Sequence, residues 1–491
     1  MKRKLILLLV VNLLLVGALA GFWSFPRQET TWSSVVRLSS QMRAASEASI
    51  IADPYGYVHV FWSEENADTT NLILYARYDG ETWSYPVDIY LSGPNSPINS
   101  IAPFVDEYGT LHVIWSEGLF PKFMRYTYAR VNDALSSSKW AKPRQIRIQA
   151  DQLDYVVDKQ GVFHVIFSMN NANGRGVFYA QSKDRAVTWT NPIWLDPDNP
   201  PELLPAKISL AFDDAGGMHA IWYYKAFEES QGDWVRYIHS LDGGKTWNGA
   251  FTIAKNSEGD DELNAFASPV MTVRGQTIHV IWAGGDLLYR HYRSSPDGGT
   301  TWSDTTRILG DLNGQAGDGL ITDSLGRPHY FAQIRFPVGI YHSHLEEGKW
   351  TFPELIYFIR FSNSDKIENR IEAHAPYPAI LLGNQVVLTF TDPPPDDNRG
   401  LYVMTTILDD APSLAPITPL PPVQTETSPT AVVEPEATAA PTEAVLPSPT
   451  PFSGDTSPSQ VGSANMALVW GMIVSFVLVA GVLVFRQFGR S

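Results

Sequence analysis

The chain has 491 residues, 44% hydrophobic and 12% aromatic, enough to bury a large core, so disorder is not its default state. It contains no cysteine, which excludes disulfides, a thiol nucleophile, a lipidated cysteine and thiolate metal sites. A formal charge of −16 repels nucleic acid and anionic lipid and gives no support to phosphate binding.

In chain order, Lys2-Arg3-Lys4 precede an apolar run from Leu5 that ends in Ala18-Leu19-Ala20. A basic start, an apolar stretch and a small-x-small end predict a secretory signal peptide over residues 1–20. From Trp32 to Asp410 one unit recurs. An apolar strand ends at an Asp-x-x-Gly turn at Asp53, Asp106, Asp158, Asp213 and Asp323. A second strand follows with His-x-x-aromatic spacing, at His59, His112, His164, His219 and His279, and more weakly at His329. At period 2 the histidine and the aromatic point to opposite faces, and its recurrence predicts a packing role for the histidine rather than metal ligation.

Each unit continues through a third strand to a tight turn and a tryptophan that is expected to open a fourth strand. The turn is clearest in Ser240-Leu241-Asp242-Gly243-Gly244-Lys245-Thr246-Trp247 and Ser295-Pro296-Asp297-Gly298-Gly299-Thr300-Thr301-Trp302. A third copy, Ser182 to Trp189, keeps Asp184 and loses both glycines. Glycine accepts positive φ there, and the aspartate can cap amides of its own turn. Four short strands per roughly 50 residues predict propeller blades. Seven such units are countable, six if the irregular stretch 358–382 forms no inner strand. The first tryptophan-led strand, Trp32 to Leu38, precedes every unit, so it should complete the last blade and close the ring. The expected fold is therefore an all-β, seven-bladed propeller over residues 30–409.

Residues 411–464 are rich in Pro, Thr, Ser, Ala and Glu and predict an extended stalk. Residues 466–485 carry no charge, are long enough for a transmembrane helix, and precede the short basic tail 486–491. Together with the signal peptide this predicts a single-pass cell-membrane protein with an extracellular propeller and a cytoplasmic C-terminus.

The octets built on Ser182, Asp184 and Trp189, on Ser240, Asp242, Gly244 and Trp247, and on Ser295, Asp297, Gly299 and Trp302 resemble the Asp box, or BNR repeat, of sialidase-like β-propellers. In that family the box is structural. The resemblance implies a sialidase-like fold and raises the question of a sialidase site, which there uses three convergent arginines, a Tyr–Glu nucleophile and an acid/base aspartate. The first arginine belongs to an Arg-Ile-Pro motif, absent from Ala44 to Ile51, and Ser63-Glu64-Glu65 stand where a second is found. Asp68 could be cast as the acid/base, with Arg175, Arg335 and Arg399 as further catalytic candidates in channel-face loops. Seven blades also depart from the six of sialidases.

The short turns should occupy one face of the disc and the long, variable loops the other, where function usually resides. Those loops are acidic, which favours a neutral or cationic ligand over an anionic one. Phe120, Tyr223, Tyr224, Phe227 and Trp234 are the aromatic binding candidates. No cofactor is expected beyond a Ca²⁺ ion, for which Asp260, Asp261 and Glu262 are the candidate ligands. The expected partners are an extracellular glycan or protein and, through the C-terminal helix, the membrane, with no nucleic acid. The reading is a membrane-anchored binding or scaffold module. Its alternatives are a sialidase-like exo-glycoside hydrolase and a structural component of a membrane-bound assembly.

Overall fold

The computed structural model describes residues 31–421, apart from 120–121, 172–173, 200–201, 227–231, 256–267, 286, 315–316, 359–375 and 393–398. The expected signal peptide over 1–20, the uncharged run 466–485 and the basic tail lie outside them; within them, no helix is long and apolar enough to cross a membrane.

Seven antiparallel sheets form seven blades. Blade 1 runs Ala45–Ala52, Val58–Glu65, Asn71–Tyr78 and Val87–Leu91, each strand paired with the next. Blades 2 to 6 repeat that order, with innermost strands Ile98–Val105, Leu153–Val157, Leu203–Phe212, Val270–Arg274 and Asp318–Thr322. In blade 7, Tyr377–Leu381, Gln385–Asp392 and Gly400–Ile407 come from the end of the propeller sequence and Val36–Arg37 from its start. Val36 and Arg37 pair with Val403 and Tyr402, so the N-terminal strand closes the ring and leaves no open edge there. An inner strand exists in blade 7, which settles the count at seven.

The aspartate and the histidine of each repeat are one device. Asp53 Oδ1 accepts the amides of Tyr55 and Tyr57, which shapes the hairpin, while Oδ2 lies 3.0 Å from His59 Nε2. His59 Nδ1 lies 2.8 Å from the Tyr75 hydroxyl on the third strand. The same relay recurs as Asp106–His112–Tyr126, Asp158–His164–Tyr179 and Asp213–His219–Tyr237. Blade 5 keeps only His279 and Tyr292, and blade 6 has Asp323, His329 and, in place of tyrosine, His342. Burial lowers the pKa of His59, His112, His164, His219 and His279, the last to about 4. A neutral ring donating from Nε2 to aspartate and accepting at Nδ1 from the tyrosine satisfies both nitrogens, as burial demands.

The tryptophan does not open the fourth strand. It stands four residues ahead of it in every blade, from Trp83 before Val87 to Trp350 before Glu354 and Trp32 before Val36. From there it packs on the third strand of the preceding blade. Trp140 meets Tyr75 edge-on at 5.7 Å between ring centres, Trp247 meets Tyr179 at 5.1 Å, Trp302 meets Tyr237 at 5.0 Å and Trp350 meets Tyr292 at 5.3 Å. Trp189 joins the cluster of Tyr126, Trp32 meets His342, and Trp83 joins the cluster of Val403 in blade 7. The contact circles the whole ring.

Within the box, Ser240 Oγ donates to Asp242 Oδ1 and accepts the Gly244 amide, and both the amide and hydroxyl of Thr246 donate to Asp242. Those donors, the Thr246 hydroxyl first, hold the Asp242 carboxyl at about 2. Asp297 and Asp184 repeat the pattern, and the glycine-free copy places Arg185 and Ala186 at φ 55° and 61°. At Gly244, a Cβ would land on the Tyr179 hydroxyl of the preceding blade, whereas Gly243 has open space around it.

The chain does not leave the disc at Ala411, where the stalk was expected to begin. Leu414, Ile417 and Leu420 donate their amides to the carbonyls of Leu382, Pro54 and Glu107, hairpin turns of blades 7, 1 and 2. Asp410 pairs with Arg327, and the Ser324 hydroxyl donates to the Pro412 carbonyl. Residues 411–421 thus strap the turn face.

Three outcomes follow from this packing. Gly244→Ala should destabilise far more than Gly243→Ala, since both carry positive φ but only the first meets tyrosine; equal melting temperatures would remove the inter-blade role of the box. Trp247→Ala should cost about 2–4 kcal/mol in denaturant unfolding, because the half-buried ring covers Tyr179, and Asp242→Ala should cost less. Stability should also fall as pH drops from about 6.5 toward 4. The histidine pKa values are lower folded than unfolded, so the unfolded chain binds more protons in that window and stability rises with pH. Asp151 and Asp154, whose carboxyls are raised, act in the opposite sense but are outnumbered. Unfolding free energies equal at pH 7 and pH 5 would overturn the neutral-histidine relay.

Candidate functional site

On the face opposite the strap, the mouth of the central channel opens into a cavity of about 830 Å³. Its wall is made by innermost strands that are not regular. The pairing register slips between Ser46 and Ser49 in blade 1, Asn99 and Ile101 in blade 2, and Ala206 and Ser209 in blade 4. Bulges re-aim side chains, and here they turn polar ones toward the axis. Ser100 and Lys207 take φ of 48° and 51°, left-handed values that a non-glycine residue holds only when its surroundings impose them.

The surroundings are the neighbouring blades. Ser100 Oγ donates to the Leu153 carbonyl at 3.1 Å and accepts the Leu153 amide at 3.2 Å. The Lys207 amide donates to Gln152 Oε1 at 2.6 Å. Asp154 accepts the Leu210 amide at 2.8 Å and the Tyr155 amide at 2.9 Å. Blades 2, 3 and 4 are thereby knitted at the mouth.

Among the described residues, five charged side chains line this cavity: Lys122, Lys207 and Lys225 against Asp151 and Asp154. Lys122 Nζ lies 3.8 Å from Asp151. Desolvation raises both carboxyls, with Lys122 pulling the other way at Asp151 and the Asp154 carboxyl pushed up to about 7. Among the described residues three ammonium groups therefore face two carboxylates, both of which burial makes easier to protonate. Tyr223 lines the same wall, and no arginine is among the lining residues described.

The acidic residues expected at the mouth behave differently. Glu64 is buried and receives the Ser40 amide, the Trp62 indole N–H and the Arg43 guanidinium, the last at 2.7 Å. Glu117 repeats this in blade 2 with Trp115, Tyr90, Ser96 and Arg125. Both charges are cancelled inside the protein, so neither repels an anion at the channel. Asp68 is exposed and capped by the amide and hydroxyl of Thr70, which lower its pKa, the opposite of what a neutral-pH acid requires.

The structure does not gather the catalytic candidates. Asp68, Arg175, Arg335 and Arg399 belong to blades 1, 3, 6 and 7, and none lines the cavity. Arg175 donates to Asn170, and Arg335 lies over the Phe336 ring. Of the aromatic candidates among the described residues, Tyr223 alone lines the cavity. Tyr224 is fully buried, and Trp234 is covered by the Arg236 guanidinium at 5.1 Å and the Lys255 ammonium at 4.8 Å. Phe120, Phe227 and the Ca²⁺ candidates Asp260, Asp261 and Glu262 lie outside the described residues. The reading from loops missed Lys122, Lys207, Lys225, Asp151 and Asp154. Lysine 207 and aspartates 151 and 154, set in or beside otherwise apolar inner strands, were the available signal.

No family model matches the chain, and no curated protein does. Among solved structures it is similar to the polysaccharide lyase Uly1, at 11% identity and TM-score 0.51 over 79% of this chain and 94% of that one. It is also similar to a PL25 ulvan lyase, at 8% identity and TM-score 0.50 over 75% and 95% of the two chains. The intramolecular trans-sialidase from Ruminococcus gnavus matches at 13% identity and TM-score 0.41 over 79% and 99%. At these identities the likeness is one of fold: the chain is a seven-bladed β-propeller with sialidase-like and polysaccharide-lyase neighbours.

Proposed function

We propose that this protein is a cell-surface, membrane-anchored propeller whose channel mouth binds an acidic extracellular glycan. The observation that carries the reading is the polar cavity itself, with Lys122, Lys207 and Lys225 on bulged or flanking segments of a rigid ring. Ammonium groups lining a concave mouth favour carboxylate- or sulfate-bearing sugars, while Tyr223 and the amide side chains of Asn99, Gln152 and Asn170 suit hydroxyl-rich rings. This ligand class replaces the neutral or cationic one expected from the loop composition. The anchoring rests on the sequence: a signal peptide over 1–20, a Pro/Thr/Ser-rich stretch up to residue 464, and the uncharged run 466–485.

A catalytic reading has one observation in its favour, the Asp154 carboxyl near 7, where a general acid or base works best. Against a sialidase stands the lysine-lined wall, since lysine lacks the bidentate fork that grips a sugar carboxylate.

On a glycan array the purified full chain should retain carboxylated or sulfated oligosaccharides in preference to neutral ones, in a salt-sensitive manner, and Lys207→Ala should weaken retention about tenfold. Neutral glycans held equally well would end the acidic-ligand reading. Affinity should fall as pH rises from 6 to 8, because Asp154 loses its proton and adds negative charge beside the ligand; Asp154→Asn should flatten that profile. The chain should release nothing from a fluorogenic sialoside, and turnover of an acidic polysaccharide that disappears in Asp154→Asn would replace binding with catalysis. External protease on intact cells should free a fragment ending soon after Pro421; a body protected until lysis would reverse the topology.

A further inference from the structure

Blade 6 breaks the repeat at one position. Where blades 1 to 5 place Tyr75, Tyr126, Tyr179, Tyr237 and Tyr292 beside the second-strand histidine, blade 6 places His342. His344 follows two residues on and stands directly across from His329, so the three imidazoles share one face of the blade. We propose that His329, His342 and His344 form a binding site for a divalent transition-metal ion of the zinc class.

The geometry is close to what such an ion needs. Imidazoles bound at about 2.0–2.1 Å put their ring centres roughly 3.2 Å from the metal and so about 5–5.5 Å apart. The ring centres here are 5.3 Å (His329–His342), 5.2 Å (His329–His344) and 5.9 Å (His342–His344) apart. One nitrogen from each ring lies within 4.8 Å of the others, and His329 Nδ1 and His342 Nε2 are already 3.0 Å apart. Tightening the set falls to His344, the most exposed of the three. His329 Nε2 is committed to Asp323 Oδ2 at 3.3 Å, which leaves Nδ1 to face the ion and supplies the outer carboxylate that orients metal-bound imidazoles.

Charge is compatible with a cation. Asp323, Asp410 and Glu346 lie around the cluster, and the nearby Arg327 guanidinium is held by Asp323 and Asp410. Glu346, 4.0 Å from His344 Nε2, or water completes the coordination. An all-imidazole set with one carboxylate suits zinc, cobalt, nickel or copper rather than calcium. The proton-relay role of this position explains His329 and His342 but not His344, whose counterparts across from the repeat histidine are Arg77, Tyr128, Gln181, His239 and Ser294. The ion would fasten the second and third strands of blade 6 where Trp32 of the closing blade packs on His342.

The test is metal titration of the untagged, chelator-stripped full chain. With Co²⁺ it should bind one equivalent with the visible bands of a nitrogen-rich tetrahedral site, and Zn²⁺ should displace the Co²⁺ and raise the melting temperature. His342→Tyr restores the residue that blades 1 to 5 carry and so should fold; it should lose the equivalent and the bands. His344→Ala should weaken binding at least tenfold. A His342→Tyr protein that keeps both the equivalent and the bands overturns the proposal, as does a parent protein that binds less than one equivalent of either ion.

Discussion

The buried Asp–His–Tyr relay is the constraint on which the ring depends. An imidazole taken out of water must have both nitrogens answered, and each hydrogen bond contributes only about 1 kcal/mol net while an unanswered buried group costs about 1–3 kcal/mol. The relay answers both at once and in doing so fixes three strands: the aspartate belongs to the first hairpin, the histidine to the second strand, the tyrosine to the third. The tyrosine ring then receives the tryptophan of the next blade, and its hydroxyl abuts the glycine of the next Asp box. Intra-blade order is thus converted into inter-blade order by one side chain. Where blade 7 lacks the histidine, apolar Val387 and Val403 fill the place, and the closing strand and the strap of residues 411–421 supply the missing ties.

That arrangement commits one face of the disc to structure. Turns, boxes and strap all meet there, so variation is confined to the other face. Bulges are tolerated in the inner strands of blades 1, 2 and 4 because the outer strands and relays hold the backbone around them. The left-handed residues Ser100 and Lys207 are then the cost of aiming polar groups into a channel whose walls would otherwise be alternating apolar strands.

The architecture was legible because its carriers repeat. Tryptophan, Asp-x-x-Gly and His-x-x-aromatic recur at a fixed period, and even the ring closure follows from counting Trp32 as an extra fourth strand. The tryptophan's place was misread, since sequence spacing says that it precedes a strand and not that it faces the neighbouring blade. The site was far less legible. Glu64 and Glu117 look like loop acids but stand two residues after Trp62 and Trp115, whose indole N–H groups they accept. Residues 411–421 look like stalk because proline suits both an extended tether and a strap that donates few amides. Lys207 and Asp154 were hidden by their position within strands, where period-2 reasoning assigns side chains to packing.

Among the described residues the channel mouth carries three lysines against two aspartates, the reverse of the chain's overall balance, and this contrast bears on the acidic ligand we propose. At a formal −16 the body repels polyanions, but at physiological ionic strength that repulsion is screened beyond about 8 Å. At the mouth Lys122 and Lys225 are part-buried while Lys207 is exposed, and a concave wall concentrates the field of charges that line it. The acidic ligand we propose would therefore be discouraged over the outer surface and accepted only where its charged group can reach the axis. Such a division favours discrimination over raw affinity, since any anion that cannot enter gains nothing from the lysines and still meets the acidic exterior.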